Sequence, residues 1–134
     1  MTRLRIIAAA IAAPALVFAL LACAPGQSMG DACGIAEDQW NAVSAMSEQI
    51  TSSDDADFAK DSWRSIAQGL RGISTGDDTM DDAATSAADH ATKAGSLVDD
   101  IVDGVSDASD RYADAVTSFG ADYARISLEC QGLL

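Results

Sequence analysis

Apolar side chains recur every three or four positions through most of the chain, which is the period of an α-helix with one buried face. The first stripe starts near Asp31 and contains Ala36, Trp40, Val43, Ser47 and Ile50. The second contains Ala59, Trp63, Ile66, Leu70 and Ile73. The third starts at Met80 and keeps its period as far as Cys130. The sequence therefore predicts helices over nearly all of residues 31–134.

Short polar segments separate these stripes. Residues 51–57 and 74–78 are rich in Ser, Thr, Asp and Gly, which end helices and cap new ones. The third stripe has no such segment, and taken as one helix it would be about 54 residues, or roughly 80 Å, long. The alternative is a turn at residues 103–106, in which Gly104 ends one helix and Ser106 caps the next.

A different pattern precedes the helical stripes. Arg3 and Arg5 stand before residues 6–22, all of which are apolar. A basic start followed by a short apolar run is typical of a secretory signal peptide. The run is short for a membrane span, which needs about 20 residues, so a retained transmembrane helix is the weaker alternative. We predict that residues 1–22 are a signal peptide.

The apolar run ends in the motif Leu20-Leu21-Ala22-Cys23, which resembles the lipobox of bacterial lipoproteins, although Leu21 is bulkier than is usual there. The resemblance implies that the sulfur of Cys23 receives a diacylglycerol and that cleavage falls before it, so that Cys23 becomes the first mature residue.

The segment after the cut is short and polar. Ordinary signal cleavage after Ala24 would leave Pro25 directly behind the scissile bond, where proline fits poorly. Residues 23–30 are small, polar and broken by Pro and Gly, so we predict a lipidated cysteine on a flexible tether. The tether would lead into an acidic helical domain, residues 31–134.

The net negative charge of the chain limits the kinds of partner that it can bind. Without Arg3 and Arg5 the eight basic residues fall to six against 21 acidic ones, so the formal net charge moves from −13 to −15. Nucleic acid binding needs clustered Lys and Arg and is excluded. The surface potential of an anionic membrane would repel the domain, so the lipid has to hold it there. Lys60, Arg64 and Arg71 lie on the polar side of the second predicted helix, which we expect to face acidic neighbours.

The remaining cysteines bear on the fold. Cys33 lies near the start of the first predicted helix and Cys130 in the last turn of the chain. Outside the cell this pair can form a disulfide if the Cα atoms come within about 7 Å. In an up-down bundle that requires an even number of helices. The chain-entropy model gives such a long loop roughly 4–5 kcal/mol of stabilisation.

We therefore predict an all-α, up-down four-helix bundle with helices near residues 31–53, 56–74, 77–103 and 106–131. A long helical hairpin is the alternative, and it would leave the bridge unmade. Buried free thiols are the alternative state of Cys33 and Cys130. Trp40 and Trp63 lie on apolar stripes and are expected in the core.

The sequence offers few residues that could catalyse a reaction or bind a metal. His90 is the only histidine, so a zinc site of the usual kind cannot form, and we expect it on the surface with no serine beside it. No nucleophile elbow or phosphate-binding glycine loop is present, so we predict no catalytic residues, no metal site and no cofactor.

The acidic clusters at residues 54–57, 77–82 and 99–103 are expected to form a solvated surface. None has the spacing of an EF-hand loop. The sequence favours a membrane-anchored, extracytoplasmic binding module whose partner is a basic envelope protein or cell-wall component. Weak calcium binding by the acidic clusters is the alternative function.

Overall fold

The computed structural model describes residues 26–46 and 50–132. Within them it contains no strand and four helices: α1 (Met29–Ala45), α2 (Ser53–Arg71), α3 (Asp78–Val102) and α4 (Ala108–Gln131). Each helix packs against its two neighbours in a ring, α1 and α3 both lying between α2 and α4. This is the predicted all-α four-helix bundle, and the alternative of a long hairpin is wrong.

A disulfide closes one end of the bundle. Cys33 and Cys130 are bonded, with their Cα atoms 5.8 Å apart, so the prediction of this pair is confirmed and that of free thiols is wrong. We call this the disulfide end; it holds the starts of α1 and α3 and the ends of α2 and α4. The opposite end, with the ends of α1 and α3 and the starts of α2 and α4, is called the open end.

A turn separates α3 from α4, although the apolar period of the sequence continues across it without interruption. Gly104 has a φ of +75°, a left-handed conformation that glycine adopts without steric cost. Its N–H donates to the carbonyl of Ile101, and the N–H of Val105 donates to that of Asp100. These two bonds form a Schellman motif, which ends a helix.

The predicted cap of the last helix is wrong. α4 begins at Ala108 with Asp107 at the N-cap position, and not at Ser106. The N–H of Ala108 donates to the carbonyl of Val105, so residues 105–108 form a further turn before the helix starts. That turn places Ala108, which is fully buried, against the core.

The first helix is shorter than predicted. The apolar period suggested a helix to residue 53, but α1 ends at Ala45 and Met46 is extended. The start of α2 explains why the helix cannot run on. Ser52 caps α2 by accepting a hydrogen bond from the N–H of Asp55, while the Asp55 carboxylate accepts from the N–H and hydroxyl of Thr51. A capping residue needs extended backbone, so the chain has to leave the helix before it.

Most of the core is made by α2, α3 and α4, and α1 adds Ala32 and Ala36. Its largest buried side chain is Trp63 of α2, which meets Tyr112 and Phe119 of α4 edge-on. α3 contributes many alanines to this core, and at Gly95 a Cβ would lie 3.1 Å from the Cβ of Trp63. Small side chains on α3 therefore let α2 approach closely enough to bury the indole.

Trp40 differs from its prediction. It is 38 % exposed and stacks against Tyr123 of α4 with ring centroids 4.4 Å apart, so it lies at the bundle surface and not in the core. α1 buries only Ala32 and Ala36. α1 packs on the outer side of a core formed mostly by the other three helices. A large residue on its apolar stripe therefore stays partly exposed.

The chain enters the bundle at the disulfide end. Gln27 exchanges two hydrogen bonds with the backbone of Ser74, in the turn between α2 and α3. Gly26, with a φ of +82°, lies so close to Thr75 that a Cβ would collide with its backbone. Residues 26–28 are therefore docked and α1 starts at Met29, within the predicted tether. The predicted signal peptide and Cys23 lie outside the described residues, among which no helix is both long and apolar enough to cross a membrane.

Candidate functional site

A groove lies between α1 and α4 at the open end. It exists because α1 stops at Ala45 while the facing surface of α4 continues to the end of the bundle. The volume is about 710 Å³, within the usual range for ligand pockets. We call it the α1–α4 groove; its lining residues are Val43, Ser44, Met46, Ile50, Thr51, Trp63, Ile101, Ser109, Tyr112, Ala113, Val116 and Thr117.

The groove has an aromatic floor. The indole N–H of Trp63 donates to the hydroxyl oxygen of Tyr112 over 2.9 Å. Burial raises the pKa of Tyr112 above its ordinary value of 10.0, and the bond from Trp63 offsets part of that rise. The Tyr112 hydroxyl therefore stays protonated near neutral pH and can donate a hydrogen bond to an occupant. The walls are mainly aliphatic, so the groove favours an apolar group with a polar atom at its deep end.

The rim of the groove is acidic. Asp55 accepts two hydrogen bonds from Thr51, which lines the groove. The side-chain hydrogen bond with Ser52 does most to lower the pKa of Asp55, and the two bonds from Thr51 lower it further. Asp110 is exposed and lies one helical turn before the lining residue Ala113. No Lys or Arg lines the groove among the described residues.

The basic residues of α2 lie elsewhere, in a cleft between α2 and α3. Lys60 is 3.0 Å from Asp99, and Arg71 is 3.1 Å from Asp89, so this helix does face acidic neighbours as predicted. The hydrogen bonds from Lys60 to Asp99 and Asp57 raise the lysine pKa above its usual 10.5. Because each of these cations is paired with a carboxylate, the cleft offers little free positive charge to an anion.

No protein-family model, curated protein or solved structure matches this chain. Function therefore has to be argued from the geometry of the groove and of the polar groups around the bundle.

A buried carboxylate links α3 to α4 in the disulfide half. Asp122 is only 8 % exposed. Its Oδ2 accepts a hydrogen bond from Ser86 over 2.7 Å and lies 2.8 Å from Nδ1 of His90, while Arg125 approaches its other oxygen at 3.6 Å. The hydrogen-bonding groups of this cluster are satisfied by one another, so the cluster holds α3 and α4 together where α4 turns the Asp122 carboxyl group inward.

His90 thus differs from its prediction, since the histidine is only one-third exposed and a serine stands one turn away. Ser86 donates to Asp122 and not to His90, so the cluster lacks the serine–histidine hydrogen bond that activates a nucleophile. Sequence reasoning missed Asp122. Its signal was the spacing of Ala115, Phe119, Asp122 and Ile126, in which the aspartate occupies a core position.

Several members of the acidic clusters have local structural roles. Asp77 caps α3 by accepting from the N–H of Met80. Asp81 accepts from the N–H and hydroxyl of Thr75 and from the N–H of Gly76, and the bond from the Thr75 backbone does most to lower its pKa. Within residues 26–46 and 50–132, no three His, Cys, Asp or Glu side chains converge to hold a metal ion. The calcium hypothesis gains no support from that part of the chain.

Proposed function

We propose that this protein is a bacterial lipoprotein, held on the outer face of a membrane by lipid on Cys23, and that its bundle binds a cationic partner in the cell envelope. The observation that carries the proposal is the position of the α1–α4 groove, an apolar cavity with an acidic rim at the opposite end of the bundle from Gly26. A cationic partner with apolar groups complements both features.

The direction of the chain supports this arrangement. Cys23 precedes Gly26 by three residues, which span at most about 11 Å. Gly26 lies against Thr75 at the disulfide end. A lipid on Cys23 would therefore keep the disulfide end near the membrane. The 25 residues of α3 extend about 37 Å, so the groove would stand well clear of the headgroups.

The anchor is tested by expressing the full chain in a bacterium that makes lipoproteins. We expect the wild type to enter the detergent phase on partitioning, with an intact mass that starts at Cys23 and includes acyl chains. Cys23→Ser should leave the protein unlipidated, whereas Ala24→Ser, the same new side chain one position on, should not. A wild-type mass without lipid would overturn the anchor.

The binding role is tested with the lipidated chain in nanodiscs of zwitterionic lipid and an oligolysine as the probe. We expect binding above that of empty nanodiscs, weakening steeply as salt is raised, because screening removes the attraction between exposed charges. Binding equal to that of empty nanodiscs at low salt would overturn the cationic partner while leaving the anchor untouched.

A further inference from the structure

We propose that a niche in the disulfide half of the bundle binds the side chain of an arginine from a partner protein. The inference goes beyond the proposed function, because it concerns a second site and names the chemical group that this site recognises. The niche is a cavity of about 410 Å³ between α1 and α4, lined at one end by the bridge of Cys33 to Cys130 and at the other by Trp40. We call it the Trp40 niche.

The niche has two fixed ends and an apolar floor. Trp40 lies two helical turns after Cys33 on α1, and their partners on α4 are separated by the same two turns. The stacked rings and the disulfide are therefore about 10 Å apart along the bundle. Ala36 and Ile126 line the cavity between these ends and are only 2 % and 1 % exposed, so they form its floor.

A single carboxylate gives the niche its charge. Among the described residues, Glu37 is the only charged residue that lines the cavity, and none of the ion pairs there includes it. Burial raises the pKa of the Tyr123 hydroxyl above its ordinary value of 10.0, and the charge of Glu37 raises it further. The carboxylate therefore acts on the aromatic end of the niche. Asn41 and Ser127 line the cavity as well and add uncharged hydrogen-bond acceptors.

These groups match the chemistry of an arginine side chain. A guanidinium is attracted to the π-face of an indole and stacks on aromatic rings, and its N–H groups can donate in pairs to a carboxylate. Trp40 is 38 % exposed, so part of its ring is open to such a contact. The aliphatic stem of arginine can lie on an apolar floor while its charged head stays hydrated. Lysine has the stem and the charge but not the planar head that stacks.

Other occupants satisfy fewer of these groups. A second copy of this chain is opposed by charge, because each copy carries a net charge of −13, or −15 without the predicted signal. An anion is repelled by Glu37. A neutral ligand would use the rings and the amide but would leave the carboxylate without a cation. Arginine alone uses the rings, the carboxylate and the floor together.

The test uses the lipidated full chain in zwitterionic nanodiscs, labelled with 5-fluorotryptophan. Trp40 and Trp63 are the only tryptophans, so fluorine NMR gives one signal for each, and Trp40→Phe assigns them. The probe is a short glycine peptide with two arginines. Control peptides carry lysine, or citrulline as the neutral isostere of arginine, at the same positions. We expect the arginine peptide to move the Trp40 signal saturably, while that of the buried Trp63 stays in place.

The three peptides should rank by how many features of the niche they use. The lysine peptide should bind about threefold more weakly than the arginine peptide, because it loses the stacking. The citrulline peptide should bind about tenfold more weakly, because it loses the charge as well as the cation–π attraction. Equal binding of the arginine and citrulline peptides would overturn the inference in favour of a neutral ligand. Equal binding of the arginine and lysine peptides would also overturn it, while leaving attraction of cations in place.

The carboxylate is tested with a matched pair of variants. Glu37 and Asp38 are both exposed on α1, but only Glu37 lines the niche. Glu37→Gln should weaken binding of the arginine peptide by about threefold to fivefold, the range of a solvent-exposed ion pair. Asp38→Asn removes the same charge and should leave binding within about twofold. If the two variants behave alike, only total charge matters and the inference falls.

The aromatic end is tested with a second pair, using fluorescence anisotropy of a dye-labelled arginine peptide. Trp40→Leu keeps an apolar side chain but removes the ring, and should weaken binding by about threefold. Phe58→Leu makes a similar change at an exposed ring of α2 outside the niche and should have no effect. Equal binding by both variants, each still folded by circular dichroism, would overturn the niche as the site and leave the proposed function standing. If the wild type binds neither the arginine peptide nor oligolysine, the proposed function falls with it.

Discussion

α1 and the three helices after it are held in the bundle in different ways. α3 alone buries nine residues, and the core around Trp63 is shared by α2, α3 and α4. α1 buries two alanines, which remove little apolar area from water. Partly buried side chains of this segment, among them Ile35 and Val43, also pack against the core. Three individual links add to these contacts: the disulfide at Cys33, the stack of Trp40 on Tyr123 and the hydrogen bonds of Gln27 just before α1.

This difference in packing explains how a disulfide can stabilise a bundle this rich in alanine. Three helices pack tightly enough to bury a tryptophan, whereas α1 adds two buried alanines and several partly buried side chains and is bonded covalently at the disulfide end. Away from that end α1 stops early, and the α1–α4 groove is the result. The weakly packed helix and the candidate site are thus two consequences of one arrangement.

The largest effect is expected from the two tryptophans. Trp63→Ala should lower the free energy of unfolding by about 3–5 kcal/mol, because it empties a fully buried site between three helices. Trp40→Ala removes a half-exposed stacked ring and should cost only about 1 kcal/mol. Urea unfolding of the full chain measures both values. Equal losses would mean that α1 is as much a part of the core as α2.

The disulfide should rank next. Replacing Cys33 and Cys130 together with alanine should lower the free energy of unfolding by about 2–4 kcal/mol, the range typical of disulfides and somewhat less than the chain-entropy value for so long a loop. The loss should be local as well as global. Hydrogen exchange should show the amides of α1 losing protection before those of α3. Uniform loss of protection along the chain would contradict the contrast between α1 and the other helices.

The buried carboxylate tests the contact between α3 and α4. Asp122→Ala removes the acceptor shared by Ser86 and His90 and should cost about 1–3 kcal/mol, as expected when buried partners lose a hydrogen bond. Asp114→Ala removes an exposed carboxylate from the same helix and should change the free energy of unfolding by less than about 0.5 kcal/mol. Thermal or urea unfolding of both variants gives the comparison. A similar small change in both would show that Asp122 does not fasten the two helices.

Much of this architecture could be predicted because it depends on local signals. The apolar period identified the buried stripe of α2, and Gly76 and Gly104, both with positive φ, marked the turns. The pairing of Cys33 with Cys130 followed from their places in the first and last helices, which share one end of an even-numbered bundle. Periodicity, glycine at a turn and cysteine position are all properties that the sequence shows directly.

The features that could not be predicted depend on what lies opposite a residue. Trp40 and Trp63 occupy equivalent positions on their stripes, yet only Trp63 has three helices around it. Asp122 is polar, so the apolar pattern passed over it although it faces the core. The groove forms because α1 ends at Ala45 and does not cover the rest of α4. No single residue that lines the groove reveals this in the sequence.

The smallest effect concerns the turn that receives the start of α1. Asp81 fixes this turn through Thr75 and Gly76, and its lowered pKa means that the ionised form is the one stabilised by folding. Its contribution is therefore fully present above the ordinary carboxyl pKa of 3.8 and is lost as pH falls through the lower value of the folded state. Asp81→Asn should cost about 1 kcal/mol at neutral pH.

The variant should also lose less stability than the wild type on acidification from roughly pH 5 to pH 2, because it has no proton to take up at this position. Asp82→Asn removes the same charge from the next residue, which is exposed, and should retain the wild-type slope. The decisive measurement is the free energy of unfolding against pH for the three proteins. If Asp81→Asn and Asp82→Asn give one slope, net charge and not the Thr75 turn governs the acid sensitivity, and the start of α1 does not depend on that turn.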